Sequence, residues 1–169
     1  WYLMPEVFDH WYRLMGTTAE EDLTLTKLEP GYRVYFEPEG NASSEFVDVR
    51  ANREDNLALL EEMEPGSRAS MEKYLDSAEE TYTIAKDYFL YTSFQDLRPL
   101  LVPAVLKRMG TLVRLLTTPI MTFAKKYTRS PRIQQLLGYP AVFLGSSPYI
   151  APSMFHLMSY LDMQDGVLY

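Results

Sequence analysis

Two histidines, 23 carboxylates, 16 lysines and arginines and no cysteine set the chemistry open to this chain of 169 residues. Without cysteine there is no thiolate nucleophile, no disulfide framework and no cysteine-held metal, a usage that fits a cytosolic protein. His10 follows Asp9 in an aromatic stretch and reads as a partly exposed or hydrogen-bonded side chain rather than a base. His156 lies in PSMFHLMSYL, where its apolar neighbours make it a core or cavity residue. Two isolated histidines do not make a metal site. Longer signatures are missing too: there is no GxGxxG, no GxxxxGK[ST], no GxSxG, no HExxH and no carboxylate pair in an apolar setting. By its own residues the chain does not look like a complete enzyme.

The positive charge is organised differently. Residues 1–96 hold 21 acidic and 8 basic side chains, a balance of −13, whereas residues 97–169 hold 2 acidic and 8 basic, a balance of +6. No carboxylate occurs between Asp96 and Asp162, a stretch in which Lys107, Arg108, Arg114, Lys125, Lys126, Arg129 and Arg132 are set among aliphatic residues. Such asymmetry points to an anionic partner surface, or to an acidic part of the same protein. Aromatics and polar base readers are scarce among these cations, which argues against nucleic acid. An apolar face edged by snorkelling Lys and Arg suits a helix lying in the headgroup plane of a membrane. Its contact residues would be Leu101, Leu106, Lys107, Arg108, Leu112, Leu115, Leu116, Ile120, Phe123, Lys125 and Lys126. The competing reading makes the same apolar residues the buried face of a helical core. No run reaches the roughly 20 apolar residues that span a bilayer, and the N-terminus lacks the layout of a signal peptide, so the expected location is cytoplasmic and peripherally membrane-associated.

The elements that must position these groups emerge from periodicity and punctuation. Pro5 opens a helix in which Val7, Phe8, Trp11, Leu14 and Met15 recur at helical spacing until Gly16, which predicts a helix over 5–15. Three runs then alternate with period two: Leu23 and Leu25; Tyr32, Val34 and Phe36; Val47 and Val49. Turn residues separate them, predicting a three-stranded antiparallel meander. Asn52 caps a short helix that ends at Pro65-Gly66. Ser67 starts the longest helix, with Met71, Tyr74, Leu75, Ala78, Tyr82, Ala85 and Phe89 on its core face. Pro99, Pro103, Gly110 and Pro119 should break the basic segment into short helical pieces. The fold class is therefore α+β, a small antiparallel or mixed sheet with a larger set of helices. One domain over 1–169 is expected: helix and meander to residue 50, acidic helices over 51–96, and a basic apolar helical region over 97–165. The apolar ends, Trp1-Tyr2-Leu3-Met4 and Val167-Leu168-Tyr169, look like cuts through a longer chain.

The last forty residues carry a resemblance. Ser130-Pro131-Arg132, Leu144-Gly145-Ser146-Ser147-Pro148-Tyr149, Ala151-Pro152 and Gly166-Val167-Leu168-Tyr169 stand in the order and spacing found in the FAD-dependent carotenoid desaturases, the phytoene desaturases and their relatives. The opening Tyr2-Leu3-Met4-Pro5-Glu6-Val7-Phe8 with Gly16, and the strand Pro30-Gly31-Tyr32-Arg33-Val34-Tyr35-Phe36, are similar to segments of the same family. The resemblance runs end to end, strongest at both ends and looser over 50–125. The chain departs from the common pattern at Leu168, where Trp or another bulky residue is usual, and at His156, where Tyr is frequent.

The resemblance implies the substrate domain of a two-domain flavin oxidoreductase, with the FAD-binding parts outside this sequence. Family members use non-covalent FAD to desaturate a long isoprenoid such as phytoene while sitting on a membrane. The complete protein would then bind FAD and this segment alone would not. Its partners would be an isoprenoid or carotenoid substrate, a membrane surface and the missing FAD domain, with pairing of exposed sheet edges between copies also open. In GSSPYIAP, Gly145 allows a left-handed turn, Pro148 and Pro152 stiffen it, and Ser147 or Ser153 caps the helix that carries Met154 to Leu161. Tyr149, Phe143 and Met154, with Ser147 and Pro148, would line a substrate tunnel that Tyr2 and Met4 close. The alternative of a different class is a stand-alone, non-catalytic lipid-associating helical module.

Overall fold

Pro5 occupies the first position of helix α1 (Pro5–Leu14) in the computed structural model, where its missing N–H leaves no bond unmade. The structure describes residues 2–38, 45–91 and 102–169. They group into two units, Trp1–Asn56 with Leu161–Tyr169, and Leu57–Tyr160.

In the first unit, α1 follows Met4 in the left-handed region and buries none of its residues; Phe8, Trp11, Leu14 and Met15 are exposed. A short helix α2 (Ala19–Asp22), absent from the periodicity, is capped by Thr18, whose Oγ1 accepts from Glu21 N at 3.3 Å. Strands β1 (Tyr32–Tyr35) and β2 (Phe46–Val49) form an antiparallel pair in the register Tyr32↔Val49 to Tyr35↔Phe46. Arg33 and Asp48 face each other across it in a two-pronged ion pair, with Nε–Oδ1 at 2.6 Å and Nη2–Oδ2 at 2.8 Å. Among the described residues the sheet is thus two-stranded, and the expected third strand does not join it. Around LTLTKL the backbone pairs with the end of the chain: Thr26 and Tyr169 exchange both amide bonds, at 2.8 and 2.9 Å, and Leu28 N donates to Val167 O at 2.9 Å. Tyr2 N joins the same edge by donating to Leu168 O at 2.8 Å. The alternation of Leu23 and Leu25 gives extended backbone but cannot name its partner, and the tail takes the donors a meander would have used. Gly166 makes this approach possible: it sits at φ 91°, and a Cβ there would lie 2.5 Å from Lys27 Cε and 2.8 Å from Ala51 Cβ. The buried Asn56 ties the turn before α3 (Arg53–Met63) to the tail. Its Oδ1 accepts from Arg50 N at 2.9 Å and its Nδ2 donates to Met163 O at 2.7 Å.

The second unit is built around α4 (Arg68–Ala85), which follows Pro65-Gly66 and continues into a π turn at Lys86–Leu90. Ser67 donates its hydroxyl back to Leu60 O, and the Glu61 carboxylate caps α4 instead, accepting from Gly66 N and Arg68 N at 2.7 Å each. These two amides hold the Glu61 carboxyl below its ordinary pKa. Met71, Tyr74, Leu75, Ala78 and Tyr82 are buried as their spacing predicts, while Ala85 and Phe89 are half-buried. Beyond the acidic helices come α5 (Pro103–Leu106), α6 (Met109–Thr117), α7 (Ile120–Ala124) and α8 (Pro131–Gly138). Two 3₁₀ turns, Tyr139–Leu144 and Ser153–Leu157, and α9 (Met158–Tyr160) complete the unit. Pro103 and Pro119 punctuate these helices as expected. Gly110 does not, because it lies inside α6, whose amides run past it from Arg108 O. Pro99 and the 39–44 turn lie outside the described residues.

Candidate functional site

The segment from Tyr139 to Ser153 is fixed by its backbone. Gly145, at φ 58°, closes the 3₁₀ turn, and Ser146 N donates to Ala141 O at 3.1 Å. Ala151 N and Ile150 N then return to Ser147 O at 2.9 and 3.0 Å, and Tyr149 N reaches Ser147 Oγ at 3.3 Å. The α6–α7 junction clamps the other side: Met121 N donates to Pro148 O, Ile120 N to Ala151 O and Ser153 N to Thr118 O, all within 2.9 Å. Ser153 Oγ adds a bond to Leu115 O at 3.1 Å. With its polar groups committed to the backbone, the loop turns apolar side chains outward. Tyr149 is 65% exposed, Ile150 74% and Val142 66%. Phe143, edge-on to Tyr139 at 5.5 Å, is half-exposed, and Met154 is partly buried behind the loop. Of the expected substrate residues, Phe143, Ser147, Pro148, Tyr149 and Met154 therefore share one rigid region of the second unit. Tyr2 and Met4 belong to the first unit. There the Tyr2 ring stacks on Phe8 at 4.4 Å and its hydroxyl is buried without a hydrogen-bond partner.

The expected membrane residues divide. Leu112, Leu115, Ile120 and Phe123 are buried in the second unit, so for these four the expectation of lipid contact is corrected: they are core. Phe123 packs against Tyr74 at 6.0 Å and against His156 at 4.8 Å. Leu106 and Leu116 are exposed, together with Val113, which the spacing of the segment did not single out. Lys107, Lys125 and Lys126 are exposed at the ends of α5 and α7, and Leu101 lies outside the described residues. Arg108 pairs with Glu80 on the acidic side of α4, so part of the basic segment does face an acidic part of its own chain.

No protein-family model matches the chain. Individual relatives do. The carotenoid 3,4-desaturase of Haloarcula japonica is 31% identical over 169 residues, which is 100% of this chain and 33% of that protein. The zeta-carotene-forming phytoene desaturase of Myxococcus xanthus is 28% identical over 165 residues, 98% of this chain and 31% of its own length. A 4,4'-diapophytoene desaturase (4,4'-diaponeurosporene-forming) of Staphylococcus aureus is 25% identical over 169 residues, 98% of this chain and 32% of its own length.

The chain belongs to the carotenoid desaturase family.

It spans about a third of the length of the curated relatives it matches, and their names, all of enzymes, do not favour a stand-alone lipid module. The family implies FAD, and the described residues of this desaturase segment do not fit a flavin nucleotide. A dinucleotide cradle needs a strand, a Gly-rich turn and a helix N-terminus in a parallel βαβ unit, whereas the sheet here is a two-stranded antiparallel pair. Among the described residues no helix is long and apolar enough to cross a membrane.

Two buried titratable groups complete the desaturase segment. His156 lies against the ring of Tyr74, its Nδ1 2.7 Å from Ser153 O and its Nε2 3.0 Å from Ser77 Oγ. A carbonyl only accepts, so Nδ1 carries the proton and Ser77 donates to Nε2. Burial, the largest cause, lowers the pKa of His156 to about 4, so the ring is neutral and a weak base; its burial agrees with the core or cavity position read from its apolar neighbours. Asp162 was not singled out in the sequence. It is buried, its Oδ2 accepts from Tyr32 Oη at 3.0 Å and its Oδ1 has no partner. Desolvation raises its pKa to about 7, against the opposing hydrogen bond from Tyr32. The one sequence signal was its place among Tyr160, Leu161 and Met163, an unusual setting for a carboxylate.

Proposed function

We propose that this chain supplies the substrate-binding and peripheral membrane-contact surfaces of an enzyme that desaturates a long isoprenoid such as phytoene. A polyene offers no hydrogen-bonding groups, so it is recognised through apolar area, at roughly 25 cal/mol per Å² removed from water, and through the shape of a surface that does not give way. The observation that carries the reading is the clamped loop. Its backbone bonds are all internal to the unit, while Val142, Phe143, Tyr149 and Ile150 stand open to solvent. Exposed apolar side chains on a fixed loop mark a contact surface. The exposed Leu106, Val113 and Leu116, with Lys107, Lys125 and Lys126, have the composition of a peripheral contact with an anionic bilayer. In this reading the redox chemistry belongs to FAD held outside the segment, and the chain's own part is to take up an apolar substrate, orient it and keep water away from it.

The test is expression of the complete gene product in cells that accumulate phytoene, followed by chromatography of the extracted polyenes. New products absorbing at longer wavelength are expected, and their yield should fall in Tyr149→Ala and Ile150→Ala. Unchanged phytoene and unchanged partly desaturated polyenes, with the protein present and folded, would contradict the assignment.

A further inference from the structure

A cleft of about 430 Å³ opens in the second unit between the turn joining α3 to α4 and the segment following α7. One wall is Glu64, Pro65, Gly66, Ser67 and Ser70, and the other is the unbroken run from Lys125 to Arg129. Hydrogen bonds hold the two walls together: Ser70 Oγ donates to Tyr127 O at 2.5 Å, Thr128 Oγ1 donates to Glu64 Oε2, and Arg129 N donates to Glu64 Oε1 at 3.1 Å. These bonds decide which groups remain for a ligand. Glu64 is saturated by the Thr128 hydroxyl and the amides of Arg129 and Ser130, and the hydroxyl, the largest cause, keeps it ionised below its ordinary pKa. Ser70 spends its hydroxyl on carbonyls, and the amides of Gly66 and Arg68 at the start of α4 are occupied by Glu61. What remains is the three exposed cations Lys125, Lys126 and Arg129, with the Lys126 ammonium set 5.8 Å over the Phe123 ring.

With three cations and one carboxylate, the lining carries a net charge of +2. A phosphomonoester carries −1.5 to −2 at pH 7 and a phosphodiester only −1, so charge matching favours the monoester, and a fork-shaped guanidinium beside two ammonium groups is a suitable donor set for it.

We propose that this cleft binds the dianionic phosphate of a phosphomonoester through Lys125, Lys126 and Arg129. The ligand is the phosphate group itself, which a membrane presents as the headgroup of phosphatidic acid and solution presents as free phosphate. Only the membrane source rests on the peripheral-contact reading above.

Two measurements on the 169-residue chain separate the cases. In the first, inorganic phosphate is titrated against chloride at matched ionic strength while the amide resonances of Ser67, Ser70, Tyr127 and Arg129 are followed. In the second, the chain is sedimented with phosphatidylcholine vesicles containing phosphatidic acid or, at equal anionic lipid content, phosphatidylglycerol. Saturable shifts at those four amides are expected, together with at least fivefold tighter binding to the phosphatidic acid vesicles. Both should be lost in Lys125→Gln/Lys126→Gln/Arg129→Gln and kept in Lys73→Gln, on α4 outside both the cleft and the contact surface, with circular dichroism unchanged because all four side chains are exposed. Shifts without vesicle binding would leave the site standing and remove the membrane source. Vesicle preference that depends on the three cations, without shifts in free phosphate, would assign the site to the headgroup alone. No shift and no lipid preference, or effects that survive the triple substitution, would overturn the proposal.

Discussion

The two units differ in how they treat what they bury. Among the described residues of Leu57–Tyr160 the buried side-chain polar groups are matched: His156 has both ring nitrogens engaged, Tyr74 Oη meets Ser159 Oγ at 3.3 Å, and Ser153 Oγ reaches Leu115 O. In Trp1–Asn56 with Leu161–Tyr169, Tyr2 Oη, Asp162 Oδ1 and Gln164 Nε2 are buried with no partner. An orphaned buried polar group costs roughly 1–3 kcal/mol. Both units also expose apolar residues, but differently. Val142, Phe143, Tyr149 and Ile150 of the second sit on a loop clamped from both sides, while α1 of the first buries none of its own residues. Among its described residues the second unit thus leaves no buried side-chain polar atom unmatched and presents a loop fixed by its own backbone. The first carries unmet polar demand, and its surfaces are less completed by its own residues.

Several substitutions break or sharpen this contrast. The largest effect belongs to the second unit's core. Phe123→Ala should destabilise that unit by roughly 3–5 kcal/mol, whereas Leu116→Ala, equally apolar but on the surface, should change stability by less than about 0.5 kcal/mol while weakening vesicle binding. Denaturant midpoints for the two variants check this. If both behaved alike, the division of the basic segment into core and surface would fail.

The buried titratable groups should give the two units opposite responses to pH. Asp162 has its pKa raised to about 7 from 3.8, so between those values the folded unit holds a proton that the unfolded chain has released. Its contribution is fully present below 3.8 and lost as pH rises through about 7, a change on the order of 4 kcal/mol. His156 has its pKa lowered to about 4 from 6.5, so the folded unit excludes a proton that the unfolded chain takes up. Its contribution is present above 6.5 and lost as pH falls through about 4, a change on the order of 3 kcal/mol. Hydrogen exchange resolved by residue at pH 5 and pH 7.5 should therefore show the first unit better protected in acid and the second better protected near neutrality, after correction for intrinsic exchange. Asp162→Asn should flatten the response of the first unit and leave the second unchanged. The smallest effect is local: Thr18→Ala removes the cap of α2 and should cost about 1 kcal/mol, read as faster exchange at Glu21 N.

Much of this architecture was legible where local chemistry determines it. Pro5 with the spacing of Val7 to Leu14 marked α1, Asn52 marked the start of α3 by accepting from Asp55 N at 2.9 Å, and the apolar stripe of α4 was read nearly to its end. What failed depended on partners distant in sequence. The run at Leu23 to Thr26 looks extended whether it pairs with β1 or with Tyr169, and only the tertiary structure chooses. In α6, Leu112, Val113, Leu115 and Leu116 share one broad apolar face of a nine-residue helix, so periodicity could not say that Leu112 and Leu115 point inward while Val113 and Leu116, toward its other edge, point out. The loop after α8 was visible in its Gly and Pro residues. That Tyr149 and Ile150 stand in solvent was not, because an outward aromatic and a buried one have the same letter. The burial of Asp162 was signalled only by its apolar neighbours Leu161 and Met163.

Contact between a polyene and the 142–150 loop is the central claim, and energy transfer from a tryptophan placed on that loop measures it. Tyr149→Trp is titrated with a polyene absorbing near tryptophan emission, delivered in detergent micelles, over the background of Trp1 and Trp11 in the unsubstituted chain; Thr83→Trp, on the exposed acidic side of α4, serves as control. Saturable quenching at position 149, largely absent at position 83 and weakened by adding Ile150→Ala, is the result expected. Equal quenching at both positions, or none at either, would contradict the account.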